Sequence, residues 1–387
     1  MRFFTIAVLL LELLESPSFA FTSISHHDLS LRTQRVSISQ ITKIRTSRCV
    51  RYNIPPPSEQ NVAEFTEYAS RQAPPASFYE LQQDCVRAVR MARRDGHKLL
   101  EVEFPPLPAN VLEMVDVSTY DVLQANLKLA LEFAKGIMIS ESDNEASKIR
   151  KVAILLPDQA EADVAIEKVG SANPFPDVVV TSIREADPDD TRIIKPEQLL
   201  LGLFGRGSGG AVKPIVDADV YICLSSSAQE LPDIEELHGM DPEKTIVFYN
   251  LKLDTLRGDL GAPAFPPKEF HDRFLSKVKP AYYLRTRQYS RSTPNPPFIV
   301  NFQGCLFRTY PGQFQTLLDT GNGRYRRVKA NEFRPPLGVF KQELTDALIE
   351  QKVLQDEGST FNFLRTGYKT TTWWEDERGG ASEAWRT

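Results

Sequence analysis

The stretch from Val152 to Ser182, VAILLPDQAEADVAIEKVGSANPFPDVVVTS, contains the pattern that decides the fold. Its two apolar runs, Val152–Leu156 and Val178–Ser182, are too short for helices and rich in β-branched residues. Between them, Asp158 and Glu161 have the spacing of a capping pair, in which each side chain bonds an amide left unpaired at a helix start. The stretch therefore predicts strand, helix and strand, the unit from which parallel sheets are built.

The same alternation continues on both sides of this stretch. Apolar positions at helical spacing predict helices over residues 77–94 and 119–136. Further capping pairs are Ser77 with Glu80, Ser118 with Asp121, and Ser227 with Glu230. Further strands are predicted at Leu99–Phe104, Val220–Leu224 and Ile246–Tyr249. We therefore predict an α/β fold with a mostly parallel, Rossmann-like open sheet and helices on both faces.

The pattern changes after Pro280, where predicted strands follow one another with only turns between them. They are Ala281–Tyr289, Phe298–Phe302, Cys305–Tyr310, Gln313–Leu318 and Tyr325–Lys329. The turn TGNGR, residues 320–324, favours a hairpin because Gly and Asn adopt positive φ at low cost. We expect antiparallel strands that extend the sheet, followed by a helix near Val339–Val353.

The N-terminal segment has the composition of a two-part targeting sequence. Residues 1–20 combine Arg2, an apolar run and the ending Ser18-Phe19-Ala20, which is typical of a signal peptide. Residues 21–50 are rich in Ser and Thr, carry five basic residues and have one acid, as a plastid transit peptide does. The combination resembles the bipartite presequence of algae with secondary plastids and predicts a location in the plastid, in the stroma or at the thylakoid. Plain secretion is the alternative.

The rest of the chain divides into a linker, one domain and a tail. Residues 51–75 are Pro-rich and predict a linker, and residues 76–354 predict a single α/β domain. Residues 355–387 are polar, predict a flexible tail and contain the three tryptophans, Trp373, Trp374 and Trp385. These side chains either pack on the body of the protein or dock onto a partner.

Composition excludes several classes of function. The net charge of −5 argues against a nucleic-acid partner. The four cysteines form no C-x-x-C pair and the histidines no H-x-x-x-H pair, so we expect neither a metal nor a cofactor. No stretch after residue 20 has eighteen uninterrupted apolar residues, so we expect a soluble mature chain without a transmembrane anchor.

The loop FGRGSGGAV, residues 204–212, contains the spacing G-x-G-x-x-G of dinucleotide-binding proteins. That motif requires a preceding strand and a following helix, whereas here a helix-like segment precedes the loop and a strand follows it. We therefore interpret Gly205, Gly207 and Gly210 as parts of a connecting loop.

A better candidate for ligand binding is the edge where parallel strands end. Ser225, Ser226 and Ser227 follow one predicted strand, Asp158 follows another and Asn250 a third. Open α/β sheets bind ligands beyond the carboxyl ends of their strands. Ordinary capping and turn formation is the alternative for all five residues.

Three stretches resemble a domain-of-unknown-function family of cyanobacteria, algae and plants. They are SFYELQQDCVRAVRMARRDGHKLLEVEFPPLP (77–108), VFYNLKL (247–253) and GCLFRTYPGQFQTLL (304–318). The most specific part is Arg308, Tyr310, Pro311 and Gly312, followed by Phe314 where the family more often has Trp. The resemblance extends from about Pro75 to Leu354.

The family includes the low-photosystem-II-accumulation assembly factors and a domain appended to a plastid adenylate kinase. The resemblance implies a plastid location and no catalytic residue. We therefore expect an auxiliary protein, favoured to be non-enzymatic, that helps to assemble or maintain photosystem II by contact with thylakoid or photosystem II assembly proteins. Its contact surface would use residues 308–314 and the tryptophans. The alternative is an α/β enzyme, or a domain that binds nucleotides or phosphorylated metabolites at the strand ends.

Overall fold

The computed structural model describes residues 73–108, 111, 117–139, 148–185, 210–293, 296–321, 324–354, 372–376 and 380–387. The predicted signal peptide and transit peptide lie outside the described residues, as do most of the linker and residues 204–209 of the glycine loop. Among the helices of the described residues, none is both long and apolar enough to cross a membrane.

The described strands are β1 (Leu99–Glu103), β2 (Val152–Leu156), β3 (Val178–Ser182), β4 (Arg184–Glu185), β5 (Ala211–Val212), β6 (Val220–Cys223), β7 (Thr245–Tyr249), β8 (Lys279–Ser292), β9 (Ile299–Thr309), β10 (Phe314–Asp319) and β11 (Tyr325–Asn331). The described helices are α1 (Phe78–Arg94), α2 (Thr119–Met138), α3 (Gln159–Val169), α4 (Leu231–Met240), α5 (Leu253–Asp259), α6 (Glu269–Arg273), α7 (Leu337–Glu350) and α8 (Trp373–Asp376), with a 3₁₀ turn at Leu275–Lys277.

Nine of the described strands form one sheet in the order β11–β10–β9–β8–β1–β7–β6–β2–β3. From β8 to β3 the neighbouring strands are parallel. From β8 to β11 they are antiparallel. This architecture confirms the predicted fold class, a mostly parallel sheet extended by C-terminal antiparallel strands.

Helices cover both faces of the sheet. Apolar residues of α1, α2 and α3 pack with β1, β2 and β6 in one cluster, and those of α4, α5 and α6 pack on the opposite face in a second. Helix α7 packs on the antiparallel strands in a third cluster. Helices can pack on both faces because the residues of β2, β6 and β7 are apolar on both sides of the sheet, as their sequences predict.

Two local predictions are wrong. The predicted strands Phe298–Phe302 and Cys305–Tyr310 are one continuous strand, β9. Gly304, which falls between the two predicted strands, lies inside β9, where an added Cβ would be 2.5 Å from the Leu317 carbonyl oxygen and 2.7 Å from Leu344. Ser227 does not cap a helix, because its bonds with Glu230 close a turn and α4 begins only at Leu231.

Candidate functional site

The strand-end edge lies where the connectivity of the sheet reverses. Neighbouring strands β2 and β6 lead in opposite directions, β2 through α3 to β3 and β6 through α4 to β7. Because α3 and α4 cover opposite faces, the carboxyl ends of β2 and β6 border a crevice of the kind that binds ligands in open α/β sheets. Asp158 and Ser225–Ser227 follow these two strands, as predicted.

Asp158 is engaged in capping, and its neighbour Glu161 is the chemically unusual group. The Asp158 carboxylate accepts a hydrogen bond of 2.8 Å from the Glu161 backbone amide at the start of α3. Burial, with smaller contributions from Asp158 and Glu230, raises the pKa of the Glu161 carboxyl from 4.5 to about 7. Its Oε2 is buried without a hydrogen-bond partner among the described residues. Glu161 could therefore exchange a proton near neutral pH.

The three serines are used in different ways. Ser225 has a φ of 57°, a strained conformation for a non-glycine residue. Ser226 is buried and its hydroxyl donates to the Leu224 carbonyl at 3.4 Å. The Ser227 hydroxyl donates to Glu230 Oε2 at 2.6 Å and accepts from the Gln229 amide at 3.2 Å. The Ser226 and Ser227 hydroxyls therefore bond to their own loop.

Asn250, after β7, joins three elements. Its backbone amide donates to the Val102 carbonyl at 2.7 Å, and its Oδ1 accepts from the Phe104 amide at 2.8 Å. Its Nδ2 donates to Asn126 Oδ1 of α2 at 2.9 Å. These bonds tie the ends of β7 and β1 together. Its partners lie at the end of β1 and in α2 and not in the β2–β6 crevice, so the five predicted residues do not form one cluster.

No group of three or more His, Cys, Asp or Glu within the described ranges could hold a metal ion. Deep burial raises the pKa of the thiols of Cys85, Cys223 and Cys305 above their ordinary value. These three cysteines are therefore chemically inert members of the core.

The residues of the predicted family motif fold the turn between β9 and β10. Arg308 is 4% exposed, donates from Nε to the Gly312 carbonyl at 3.1 Å and stacks on Phe314, whose ring centre is 4.7 Å away. The Tyr310 hydroxyl donates to Asp95 at the end of α1 at 2.6 Å, and the Tyr310–Pro311 peptide is cis. Arg308, Tyr310 and Phe314 are buried, so the partner surface expected at residues 308–314 is left with the side chains of Pro311 and Gln313. Pro311 is the exposed residue of the motif.

The described parts of the segment predicted as a flexible tail, residues 372–376 and 380–387, pack on the domain. Trp374 and Trp385 are 3% and 5% exposed, and their ring centres are 5.4 Å apart in an edge-to-face pair. Trp373 is partly buried against the cluster of α4–α6. Backbone bonds from Ala381 to Asp272 and from Trp385 to Ser276 fix the segment to α6 and the 3₁₀ turn. The tryptophans are therefore already docked, within their own chain.

Beneath the tryptophans lies a buried ionic cluster that sequence reasoning missed. Asp254 of α5 accepts two bonds from Arg334 at 2.7 and 2.6 Å, one from Arg257 at 3.0 Å and one from the Tyr283 hydroxyl at 2.8 Å. Burial opposes ionisation of Asp254, but the arginines around it outweigh burial and hold its pKa below the usual range. The cluster joins residues far apart in the chain, so no spacing pattern in the sequence indicates it.

Several polar atoms of the cluster remain unpaired. Arg257 is 0% exposed, and its Nε and Nη2 have no hydrogen-bond partner among the described residues. Both carboxylate oxygens of Glu101 are likewise unpaired, with Arg334 Nη1 3.8 Å from one of them. The rings of Trp374 and Trp385 lie 5.4 and 5.5 Å from the Arg257 guanidinium and cover it. The C-terminal segment therefore shields buried charge from water.

A groove of about 450 Å³ lies beside the C-terminal segment. The loop between β11 and α7 forms one side and the segment the other; the lining residues are Phe333, Arg334, Pro335, Pro336, Glu375, Glu383, Trp385 and Arg386. Phe333 is 55% exposed, and Val339 in the first turn of α7 is 44% exposed. The groove therefore presents an exposed aromatic side chain beside charged side chains of both signs.

Comparison with known protein families identifies one match. The model of the family "Domain of unknown function (DUF1995)" matches residues 75–342, which confirms the resemblance predicted from the sequence. No curated protein and no solved structure matches the chain.

Proposed function

The chain belongs to the DUF1995 family, and we propose that it is a plastid auxiliary protein, not an enzyme, that helps to assemble or maintain photosystem II. It acts by contact with thylakoid or photosystem II assembly proteins, and the groove between the β11–α7 loop and the C-terminal segment is the contact surface.

Two features of the sequence support the cellular part of the proposal. The N-terminal fifty residues have the composition of a signal peptide followed by a transit peptide, which is the address of a secondary plastid. The resemblance to the low-photosystem-II-accumulation factors supports the choice of photosystem II.

The observation that carries the molecular part is the exposure of Phe333 at the groove. An aromatic side chain left 55% exposed beside a buried tryptophan offers a partner a preformed apolar contact. Arg334 and Trp385 are held by the ionic cluster and by the segment's backbone bonds, so these two lining residues are in place before a partner binds. Side chains that are already held lose little conformational entropy on binding.

Disruption of the gene, followed by complementation, tests the proposal. Cells without the protein are expected to accumulate less photosystem II, and the wild-type gene is expected to restore it. A Phe333→Asp gene should not restore it, although its product accumulates, because the substitution places a charge in the contact surface. Normal photosystem II content in the disrupted cells would overturn the proposal.

The crevice at β2 and β6 supports a second candidate, a domain that binds nucleotides or phosphorylated metabolites. The specific observation is the buried, unpaired Glu161 oxygen, in a carboxyl whose pKa is raised to about 7. A thermal-shift screen with these ligands tests it. A rise in melting temperature that is lost in Glu161→Gln or Ser226→Ala would support this candidate, and no rise with any ligand would remove it.

A further inference from the structure

The charges of the protein are unevenly distributed between the two parts of the sheet. Residues 279–354, which include β8–β11 and α7, contain twelve Lys and Arg against five Asp and Glu, a net charge of +7. Residues 51–278, which include all the strands from β1 to β7, carry a net charge of −13. The antiparallel part is therefore basic within an acidic protein. Its Arg285, Arg287 and Arg334 are neutralised by Asp254 and Glu101, so its exposed arginines are the ones available to an anionic partner.

Many of these basic residues lie at one end of the antiparallel strands. Strand β8 runs in the direction of the parallel strands, so its C-terminal half and the β10–β11 turn lie at the same end of the sheet. Arg324, Arg326 and Arg327, at or beside this turn, are exposed. Arg291 of β8 extends the basic surface and is partly exposed.

Strands β8 and β9 project beyond their neighbours at this end. Strand β10 pairs with β9 only as far as Gly304, whereas β8 and β9 remain paired as far as Ser292 and Ile299. The last five residues of β8 thus form a two-stranded arm about 16 Å long. One face of the arm packs on α7 through Tyr289 and Phe340, whose ring centres are 6.3 Å apart. The arm is therefore supported in position.

The outer end of the arm is apolar. Phe298 and Ile299 are 63% and 61% exposed and adjacent in sequence. Arg291 pairs with Val300, the next residue of β9, so a positive charge lies within one residue pair of the apolar end.

We propose that the arm and the basic end of the sheet form a docking surface for an anionic lipid bilayer. Phe298 and Ile299 enter the headgroup region, and Arg324, Arg326, Arg327 and Arg291 bind lipid phosphates or sulfates. Exposed apolar side chains at the same end of the protein as exposed arginines favour a bilayer over a nucleic acid, which lacks an apolar phase to receive them. The surface is separate from the groove of the proposed function, so either proposal can fail alone.

Vesicle co-sedimentation tests the proposal, with affinity-tagged protein isolated from its native cells. The vesicles contain phosphatidylcholine alone or an equal mixture of phosphatidylcholine and phosphatidylglycerol. We expect binding to the mixed vesicles at about 0.1 M salt and a marked loss at about 1 M, because salt screens the charges. Replacement of Arg324, Arg326 and Arg327 by Ala should weaken binding about a hundredfold, since each basic residue near an anionic surface contributes about fivefold.

Two variants separate the roles of charge and apolar contact. The double variant Phe298→Ser, Ile299→Ser should weaken binding about tenfold without changing its salt dependence. The matched controls are a triple Ala variant of the exposed residues Lys128, Arg150 and Lys168, and Val216→Ser at a residue that is 74% exposed; both should bind like the wild type. Equal binding to both vesicles, equal binding by all variants, or binding of duplex DNA or RNA in place of vesicles would each overturn the proposal.

Discussion

Asp254 holds together the charges beneath the C-terminal segment. Its carboxylate receives hydrogen bonds from Arg257, Arg334 and Tyr283, and its side chain is 8% exposed. In this environment the arginines depend on Asp254, together with Glu101, for their counter-charge, because water cannot replace it.

Replacement of Asp254 by Asn is expected to lower the free energy of unfolding by about 3–5 kcal/mol, because it takes a counter-charge away from buried arginines. Urea unfolding followed by circular dichroism measures this loss. The control Glu167→Gln removes an exposed carboxylate of α3 and should change stability by less than about 0.5 kcal/mol. An equal effect of the two substitutions would show that the cluster does not stabilise the fold.

His271 is a second residue whose environment has a measurable consequence. It is 2% exposed and lies against the rings of Trp373, Trp374 and Trp385. Burial lowers the pKa of His271 from 6.5 to about 3, and the nearby positive charges of Arg257, Arg386 and Arg334 add to this effect. The negative charge of Asp254 opposes it more weakly. The neutral ring is therefore the form that the folded protein accommodates.

Above pH 6.5, the pKa of the unfolded histidine, His271 is neutral in both states and the fold keeps its full stability. As the pH falls from 6.5 towards 3, the unfolded chain binds a proton that the folded chain excludes, so this stability is lost. Between about pH 7.5 and pH 5, the wild type should lose about 2 kcal/mol more of its unfolding free energy than His271→Gln, which cannot titrate. Urea titrations of both proteins at the two pH values measure the difference. An identical pH dependence would contradict the burial of His271.

At the scale of elements, Gly304 determines how β9, β10 and α7 pack. A Cβ at this position would meet the Leu317 carbonyl at 2.5 Å and two Leu344 methyl groups at 2.7 Å. Gly304→Ala is therefore expected to lower the free energy of unfolding by about 1–3 kcal/mol. Gly239→Ala in α4 is the matched control, since a Cβ there meets nothing within 4 Å and alanine favours the helix. Thermal unfolding measures both; equal melting temperatures would show that α7 does not contact β9 at this point.

The C-terminal segment makes a prediction of its own, because it contains every tryptophan of the chain. Tryptophan fluorescence therefore reports on this segment alone, and far-ultraviolet circular dichroism reports on the whole fold. We expect the two signals to change at the same urea concentration, because Trp374 and Trp385 pack on the central ionic cluster. A fluorescence change at lower urea would mean that the segment detaches before the domain unfolds.

Local patterns predict the elements well but say little about the candidate sites. The capping pairs at Ser77, Ser118 and Asp158 all start helices, because capping depends on residues three apart in sequence. The merging of two predicted strands at Gly304 depends instead on α7, forty residues further along the chain. Asp254 and Arg334 are 80 residues apart in the chain and meet only in the folded structure, so the sequence does not indicate their pairing.

At the scale of the whole molecule, the connectivity of the sheet separates three surfaces. The crevice at β2 and β6 follows from the reversal of strand order, the groove lies beside the C-terminal segment, and the arm extends from the antiparallel strands. The polar side chains of the crevice mostly bond to one another, whereas the groove exposes an aromatic side chain. The unpaired Glu161 oxygen in the crevice and the exposed Phe333 at the groove are therefore the two features that the two proposed functions rest on.

The most direct test of this account is affinity purification from plastids with the tagged wild type, Phe333→Asp and Tyr79→Asp. Tyr79 is 75% exposed on α1 and serves as the control for an added surface charge. The account predicts that photosystem II assembly proteins are recovered with the wild type and Tyr79→Asp, and about tenfold less with Phe333→Asp. Equal recovery with all three proteins, or no recovery of such proteins with the wild type, would contradict it.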